Sequence, residues 1–238
     1  MYLSEKNIVL SRTDAKKFIC AGAVRVNGKV ITKPSYDIEC DDCTIEVDTS
    51  IKKYVSRGGL KLEAALDSFL ISVEDKLALD VGASSGGFTD CLLKRGASEV
   101  IAVDSGTNQL VQSLRDDLRV TVMENFNARF LSNHDLKYVP EIAVMDVSFI
   151  SAKLIIPAIF SVLASGGDFV CLVKPQFEVG RSAIGKNGIV KDEKARLDAL
   201  GGVVDFGRNV GFSVLGTITS PIEGGDGNVE YLVHFRKE

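Results

Sequence analysis

The spacing of hydrophobic residues predicts a small folded unit at the start of the chain. Apolar side chains recur at helical intervals within residues 15–19, and Gly22 follows as a helix stop. Residues 24–30 then alternate between apolar and polar positions around Asn27-Gly28, a dipeptide typical of a tight hairpin turn. A further short strand is predicted at residues 44–47. This pattern predicts a compact α+β unit at the N-terminus.

Beyond residue 77 the pattern is that of an α/β sheet. Strands are predicted at Leu77–Val81, Glu99–Val103, 119–123, Ile142–Met145 and Asp168–Val173, and helices near 58, 87–95, 107–115, 151–164 and 191–209. Because the strands are apolar on both faces and alternate with helices, we expect a parallel, Rossmann-like sheet covered by helices. Phe212–Thr219 and 229–235 leave no room for a helix between them, so they form an antiparallel C-terminal hairpin.

Composition indicates an ordinary globular protein. The 238 residues are 45% hydrophobic and 25% charged, which argues against a disordered, collagen-like or coiled-coil chain. The first residues lack a signal-peptide pattern, and the longest nearly apolar run, residues 154–164, is too short to span a membrane. Five irregularly spaced cysteines favour a cytoplasmic protein over a disulfide-stapled secreted one.

Charge is uneven, although the net charge is only −4. Residues 1–33 carry seven basic and two acidic side chains, a local charge of +5, whereas residues 37–48 carry six acidic and no basic ones. A positive face of this kind fits a polyanion, and it fits a merely solvated surface equally well. The pattern predicts one domain at 1–48, a linker at 49–57 and a second domain at 58–238.

A glycine-rich turn follows the first strand of the sheet. It reads Gly82-Ala83-Ser84-Ser85-Gly86-Gly87, with Ser84 where a dinucleotide-binding turn needs glycine. Asp80, before the turn, would repel a phosphate and suits a cationic ligand. Asp104, at the end of the next strand, is placed to accept hydrogen bonds from two ribose hydroxyls. These features favour S-adenosylmethionine over a nicotinamide dinucleotide, and a turn needed only for strand–helix packing is the alternative.

Four more charged residues lie at predicted strand or helix ends. Asp146 and Lys174 close the fourth and fifth strands, Lys61 lies near the start of a helix, and Glu230 lies in the final hairpin. Taken singly, each is more often a surface charge or a structural ion pair. Because neighbouring parallel strands end at one edge of a sheet, we expect these charges to converge above the glycine turn.

Five ordered segments carry a specific resemblance to a known family. They are SRGGLKL, LDVGASSGGFTDCLL, MDVSFIS, LVKPQFE and GNVEYL. Nearly the whole chain resembles the TlyA (hemolysin A-type) family of rRNA ribose 2′-O-methyltransferases, which belongs to the FtsJ/RrmJ-like methyltransferases. Residues 1–48 resemble the S4-type RNA-binding domain of that family, with a shortened first helix. The resemblance implies a class I S-adenosylmethionine-dependent methyltransferase in the cytoplasm, with ribosomal RNA or ribosomal subunits as partners and no membrane association.

The resemblance also implies roles for individual residues. The family's Lys-Asp-Lys-Glu tetrad falls on Lys61, Asp146, Lys174 and Glu230, with Lys174 as the expected base for a weakly acidic ribose hydroxyl. The cofactor site falls on Asp80, Gly82, Ser84, Gly86, Gly87, Asp104 and Asn127. RNA contacts are expected from Arg12, Lys16, Lys17, Arg25, Lys29 and Arg57.

Three other functions stay open at this point. A membrane-active cytolysin, which the family's historical name suggests, would need an amphipathic or spanning segment, and none stands out. A noncatalytic ribosome-assembly factor would bind RNA without a cofactor, and a nicotinamide dehydrogenase would want glycine at Ser84. No metal is expected, because Cys40-Asp41-Asp42-Cys43 is only half of a zinc pattern and His134 and His234 are isolated.

Overall fold

The fold is taken from a computed structural model that describes residues 2–6, 8–9, 12–38, 43–48, 53–180 and 183–238, without the side chains of Thr13, Asp14 and Lys186. The chain divides into two compact units, Met1–Arg57 and Gly58–Glu238. Within the zinc-like pattern, residues 40–42 lie outside the described residues. Cys43 is disulfide-bonded, whereas Cys20, Cys91 and Cys171 are free thiols.

The first unit is a small α+β domain. It contains helices α1 (Tyr2–Glu5) and α2 (Arg12–Cys20) and strands β1 (Val24–Val26), β2 (Lys29–Ile31) and β3 (Ile45–Val47). The strands form an antiparallel sheet in the order β2-β1-β3. Ala15 and Phe18 of α2 pack on Leu3, Val9 and Val24, which confirms the apolar spacing as the buried face of this helix.

The second unit holds a seven-stranded mixed sheet. Its strands are β4 (Leu77–Val81), β5 (Glu99–Val103), β6 (Val120–Met123), β7 (Ile142–Met145), β8 (Asp168–Val173), β9 (Phe212–Thr219) and β10 (Tyr231–Lys237). Its helices are α3 (Gly58–Ser68), α4 (Gly87–Lys94), α5 (Gln112–Arg115), α6 (Ile156–Val162) and α7 (Glu193–Val210). Strands β7 and β8 are buried along their full length, as expected for strands covered on both faces.

The strand order is β6-β5-β4-β7-β8-β10-β9, so the chain builds outward in two directions from the β4–β7 pair. Strands β4 to β8 are parallel to one another, and β10 lies antiparallel between β8 and β9. The predicted fold class is therefore confirmed. In such sheets the crevice where the order reverses, at the carboxyl ends of the strands, is the usual ligand site.

Two predicted helices are shorter in the structure. Of residues 107–115, only the last turn is helical, because the preceding backbone wraps around the carboxylate of Glu124. That carboxylate accepts hydrogen bonds from the N–H groups of Asn108, Gln109 and Leu110 and from the Arg115 guanidinium. The stretch 151–164 splits into a 3₁₀ turn, Ala152–Leu154, and α6, whose first turn holds a proline. Proline is tolerated there because the first N–H groups of a helix are unpaired in any case.

Candidate active site

The glycine turn after β4 packs directly against the end of β7. A side chain at Gly82 would collide with the carbonyl oxygen of Asp146. Gly82 has φ +84°, and Ser84 has φ +48°, a left-handed conformation that is uncommon outside glycine. The Ser84 N–H donates to Oδ2 of Asp104 at 2.7 Å, and the Gly106 N–H donates to Oδ1 at 2.7 Å. The turn and Asp104 therefore hold each other in place.

A cavity of about 380 Å³ opens beside this turn at the carboxyl ends of β4, β5 and β7. Among the predicted site residues, its lining includes Gly82, Ser84, Asp104, Asn127 and Asp146. Its volume is in the range of small-molecule sites. Each oxygen of the Asp104 carboxylate keeps a second lone pair for the hydroxyls of a ribose. The carboxylates of Asp104 and Asp146 in the lining fit a ribose-bearing cation and would repel a pyrophosphate.

Asp80 does not line the cavity, because its side chain is fully buried behind the turn. Thr89 Oγ1 donates to its Oδ2 at 2.6 Å, and its Oδ1 has no hydrogen-bond partner among the described residues. Burial raises the pKa of Asp80 to about 7. Gly86 and Gly87, at the start of α4, also lie outside the lining, and a side chain at Gly86 would collide with Leu110 and Leu114.

The four predicted catalytic residues form two ion pairs. Lys174 Nζ lies 2.6 Å from Asp146 Oδ1 and donates to Ser148 Oγ at 2.7 Å. Lys61 Nζ, from α3, lies 2.5 Å from Glu230 Oε2. This second pair is buried, with Lys61 8% and Glu230 2% exposed. Charges are rarely buried to this extent unless they are paired.

Strand register brings the two pairs to the same edge of the sheet. Tyr231 of β10 is paired with Val173 of β8. Glu230 precedes Tyr231 and Lys174 follows Val173, so in this antiparallel pair the two charged residues lie side by side. Asp146, which lines the cavity and contacts the glycine turn, also pairs with Lys174.

Sequence reasoning missed several residues that shape this edge. The Phe149 side chain is 92% exposed on the cavity rim, at φ +64°, and its ring lies 5.3 Å from that of Phe177. The half-buried Glu178 carboxylate accepts from Ser151 Oγ and from the Ala152 N–H, each at 2.6 Å, and partial burial raises its pKa. These contacts tie the segment after β7 to the segment after β8. Except for Ala152, these residues lie within the segments MDVSFIS and LVKPQFE, but their roles require tertiary contacts that spacing does not reveal.

The predicted RNA-binding residues lie in the first unit. Arg12, Lys16, Lys17, Arg25 and Lys29 are exposed, and the half-buried Arg57 packs its guanidinium against Gly22. Two of them have acidic neighbours. Arg25 lies opposite Glu46 in the β1–β3 pair, and Arg12 lies 4.0 Å from Glu5. Lys16, Lys17 and Lys29 are exposed and have no contact of this kind with the acidic side chains that the structure describes.

The described part of the chain contains no group of three or more His, Cys, Asp or Glu side chains arranged to hold a metal ion. None of the helices described is both long and apolar enough to cross a membrane.

The doubly wound sheet, the acidic residues around the turn and the paired lysines define a class I methyltransferase. Residues 54–237 match the FtsJ-like methyltransferase family, and residues 1–42 match the S4 domain. The chain belongs to the FtsJ-like methyltransferase family, among its TlyA (hemolysin A-type) members, and its methyl donor is S-adenosylmethionine.

Named relatives match over nearly the full length of the chain. Hemolysin A of Brachyspira hyodysenteriae is 46% identical over 98% of this chain and 97% of its own. The 16S/23S rRNA (cytidine-2′-O)-methyltransferase TlyA of Mycobacterium tuberculosis is 39% identical over 99% of this chain and 88% of its own. A solved structure from Streptococcus thermophilus, described as a hemolysin, has a TM-score of 0.80 and 47% identity over 99% of this chain and 86% of its own. The resemblance expected from the five segments is confirmed.

Proposed function

We propose that this protein transfers a methyl group from S-adenosylmethionine to the 2′-hydroxyl of a ribose in ribosomal RNA. The observation that carries the proposal is the Lys174–Asp146 pair at the edge of the cofactor cavity, with the Lys61–Glu230 pair beside it. The name of the Mycobacterium tuberculosis relative states the same reaction for that protein. A lysine nitrogen at this edge of the sheet can accept the proton that the substrate hydroxyl must lose.

The cofactor supplies an activated methyl group on a positively charged sulfur. Asp104 would hold its ribose hydroxyls, and Asn127 lies on the cavity wall near where the base would lie. Gly82 and Ser84 form the floor of the cavity, while Gly86 and Gly87 shape the turn behind it. Asp80 would favour the cationic end of the cofactor from beneath the turn, through its unpaired Oδ1.

Lys174 acts as the base in this proposal. A ribose hydroxyl is a very weak acid, so it becomes a useful nucleophile only as its proton leaves for a neighbouring group. Once it has given up its own proton to solvent, Lys174 Nζ would accept the hydroxyl proton while Asp146 Oδ1 and Ser148 Oγ hold the nitrogen in position. Lys61 and Asp146 orient the hydroxyl, and Glu230 fixes Lys61. Alignment of oxygen, methyl and sulfur would lower the barrier by several kcal/mol, and by about 7 to 11 kcal/mol at best.

The first unit, proposed here as an S4-type RNA-binding domain over residues 1–48, would supply salt-sensitive contacts to RNA phosphates. Phe149 offers an exposed aromatic face at the cavity rim, where a nucleobase could stack as its ribose enters the site. Ribosomal RNA or ribosomal subunits in the cytoplasm are the proposed partners.

Ribose methylation mapped on rRNA from cells with and without this protein tests the reaction. We expect at least one 2′-O-methyl mark to disappear with the gene and to return with the wild-type protein. Identical maps would contradict the proposal. Titration with S-adenosylmethionine and NAD separates it from the alternatives, because an assembly factor would bind neither and a dehydrogenase would bind NAD.

Substitution of Lys174 tests the proposed base. Lys174→Ala should lower methyl transfer by about a hundredfold or more, as is typical for loss of a general base, with cofactor affinity unchanged. Lys174→Arg should be similarly inactive, because a guanidinium stays charged and cannot accept the proton. Lys137→Ala is a matched control, since it removes a lysine–carboxylate pair of the same length, 2.6 Å to Glu99, at the opposite edge of the sheet. Near-normal activity of Lys174→Arg would exclude Lys174 as the base.

A further inference from the structure

The loop between β9 and β10 closes directly on the carboxylate of Glu230. Within it, the Gly224 N–H donates to the Asn228 carbonyl at 2.9 Å, and the Gly227 N–H donates to the Gly224 carbonyl at 3.0 Å. This tight turn brings the Cα of Gly224 against the end of the Glu230 side chain. The loop backbone at Gly224 thus packs against the buried Lys61–Glu230 ion pair.

There is no space for a side chain at Gly224. A Cβ on Gly224 would lie 2.5 Å from Glu230 Oε1 and 3.2 Å from its carboxyl carbon. The φ of Gly224 is not in the positive range, so its backbone conformation is open to any residue. Glycine is therefore required for close approach and not for backbone freedom.

Hydrogen bonds hold the loop backbone on both sides of Gly224, which opposes a movement of the loop away from a larger residue. The Asn228 side chain is 1% exposed, and its Oδ1 accepts from the Val190 N–H at 3.0 Å while its Nδ2 donates to the Gly188 carbonyl at 3.0 Å. The Ser220 N–H donates to the Glu230 carbonyl at 2.9 Å. The group most free to move is the Glu230 carboxylate, which would have to leave Lys61.

We propose that Gly224 is a positioning residue, whose missing side chain keeps the Glu230 carboxylate against Lys61 Nζ. The geometric part of this inference concerns only the ion pair. Its effect on methyl transfer rests on the proposed function, in which Lys61 orients the ribose hydroxyl.

Gly224→Ala and Gly225→Ala form a matched pair for the kinetic test. The neighbouring Gly225 also lacks a positive φ, and a Cβ there would meet nothing within 4 Å. We expect Gly224→Ala to lower kcat for rRNA methylation by about tenfold to a hundredfold, the range for a small displacement in a catalytic site. KM for RNA and the Kd for S-adenosylmethionine should stay unchanged. Gly225→Ala should behave as wild type, and equal activity of the two variants would overturn the proposal.

A double-mutant cycle tests whether Gly224 acts through Glu230. Once Glu230→Ala has removed the carboxylate, adding Gly224→Ala should cause no further loss of kcat. Multiplicative losses would contradict the proposal. If Gly224→Ala fails to fold, recovery of folding in Gly224→Ala/Glu230→Ala identifies the carboxylate as the colliding group, and failure of both variants overturns the inference.

A crystal structure of Gly224→Ala provides a readout that needs no RNA. We expect the distance from Lys61 Nζ to the Glu230 carboxylate to exceed about 4 Å, the limit of an ion pair. An intact Lys61–Glu230 ion pair in that structure would overturn the inference. If the wild-type protein methylates no RNA, the proposed function is contradicted. The distance from Lys61 Nζ to the Glu230 carboxylate in Gly224→Ala then still decides the role of Gly224.

Discussion

Two carboxyl groups near the cofactor turn show how their surroundings decide their chemistry. Asp80 is fully buried with one oxygen unpaired, and burial raises its pKa to about 7. The Glu124 carboxylate accepts from Arg115 and three backbone N–H groups, and these contacts lower its pKa to about 2. Asp80 therefore changes charge near neutral pH, while Glu124 stays ionised and holds the loop of residues 108–110.

Asp80 should make the stability of the cofactor-free protein depend on pH. Its pKa is higher in the folded chain than in the unfolded chain, so the folded state binds the extra proton between about pH 4 and 7. The free energy of unfolding should fall as pH rises through this window, by at most about 4 kcal/mol. Asp80→Asn removes this titration while its amide oxygen can still accept from Thr89. The variant should therefore gain stability over wild type at pH 8 and much less at pH 5.

Urea unfolding at a series of pH values measures this difference. Asp226→Asn, which replaces an exposed carboxylate, should follow the wild-type profile. A difference between Asp80→Asn and wild type that is constant with pH would show that Asp80 does not titrate in this range. In the same variants, the Kd for S-adenosylmethionine should rise only for Asp80→Asn, because the cationic end of the cofactor prefers a carboxylate.

At the scale of secondary-structure elements, the site depends on how two strand ends meet. The turn after β4 and the end of β7 touch at Gly82 and the Asp146 carbonyl, at the point where the strand order reverses. This contact sets the separation of the cofactor turn from the Lys174–Asp146 pair. Sequence pattern located both strands, but only the fold shows that they are neighbours.

Gly82→Ala should separate these two strand ends. The added methyl group collides with the Asp146 carbonyl, and φ +84° adds backbone strain of about 1 kcal/mol. Gly166→Ala is the matched control, since Gly166 has φ +76° and open space around it. Thermal unfolding and cofactor titration should show a lower Tm and at least about tenfold weaker binding for Gly82→Ala, a loss near 1.4 kcal/mol. Equal effects at both glycines would mean that strain alone matters.

At the scale of the whole molecule, the net charge of −4 conceals a basic first unit. Its exposed Lys16, Lys17 and Lys29 have no described acidic neighbour of the kind that Arg25 has in Glu46. A polyanion would therefore meet its strongest attraction on this part of the unit. The matching of residues 1–42 to the S4 domain agrees with this location.

Replacement of Lys16, Lys17 and Lys29 together by Ala should weaken RNA binding and its dependence on salt. Each lost phosphate contact makes the slope of log K against log salt shallower by about 0.7 to 0.9. The slope of the triple variant should therefore be shallower than that of the wild type by about 2 to 3. Filter binding or fluorescence anisotropy at several salt concentrations measures the slope. Affinity for S-adenosylmethionine should not change, and an unaltered slope would place the RNA contacts elsewhere.

The sequence by itself determined the fold class and the identity of the charged residues. Buried strands are apolar runs, Asp80 and the glycine turn are contiguous, and Asp104 directly follows a strand, so local pattern is enough to find them. The local pattern wrongly predicted a helix over the whole of residues 107–115. There the carboxylate of Glu124 binds backbone N–H groups that a longer helix would have used.

Only the tertiary structure decided how the site is assembled. Lys61 and Glu230 are 169 residues apart, and no local pattern states that they pair. Their meeting follows from the placement of β10 beside β8 and the packing of α3, which depend on burial summed over the whole sheet. The same applies to Gly224, where the need for glycine arises from a side chain across the loop and not from its own backbone.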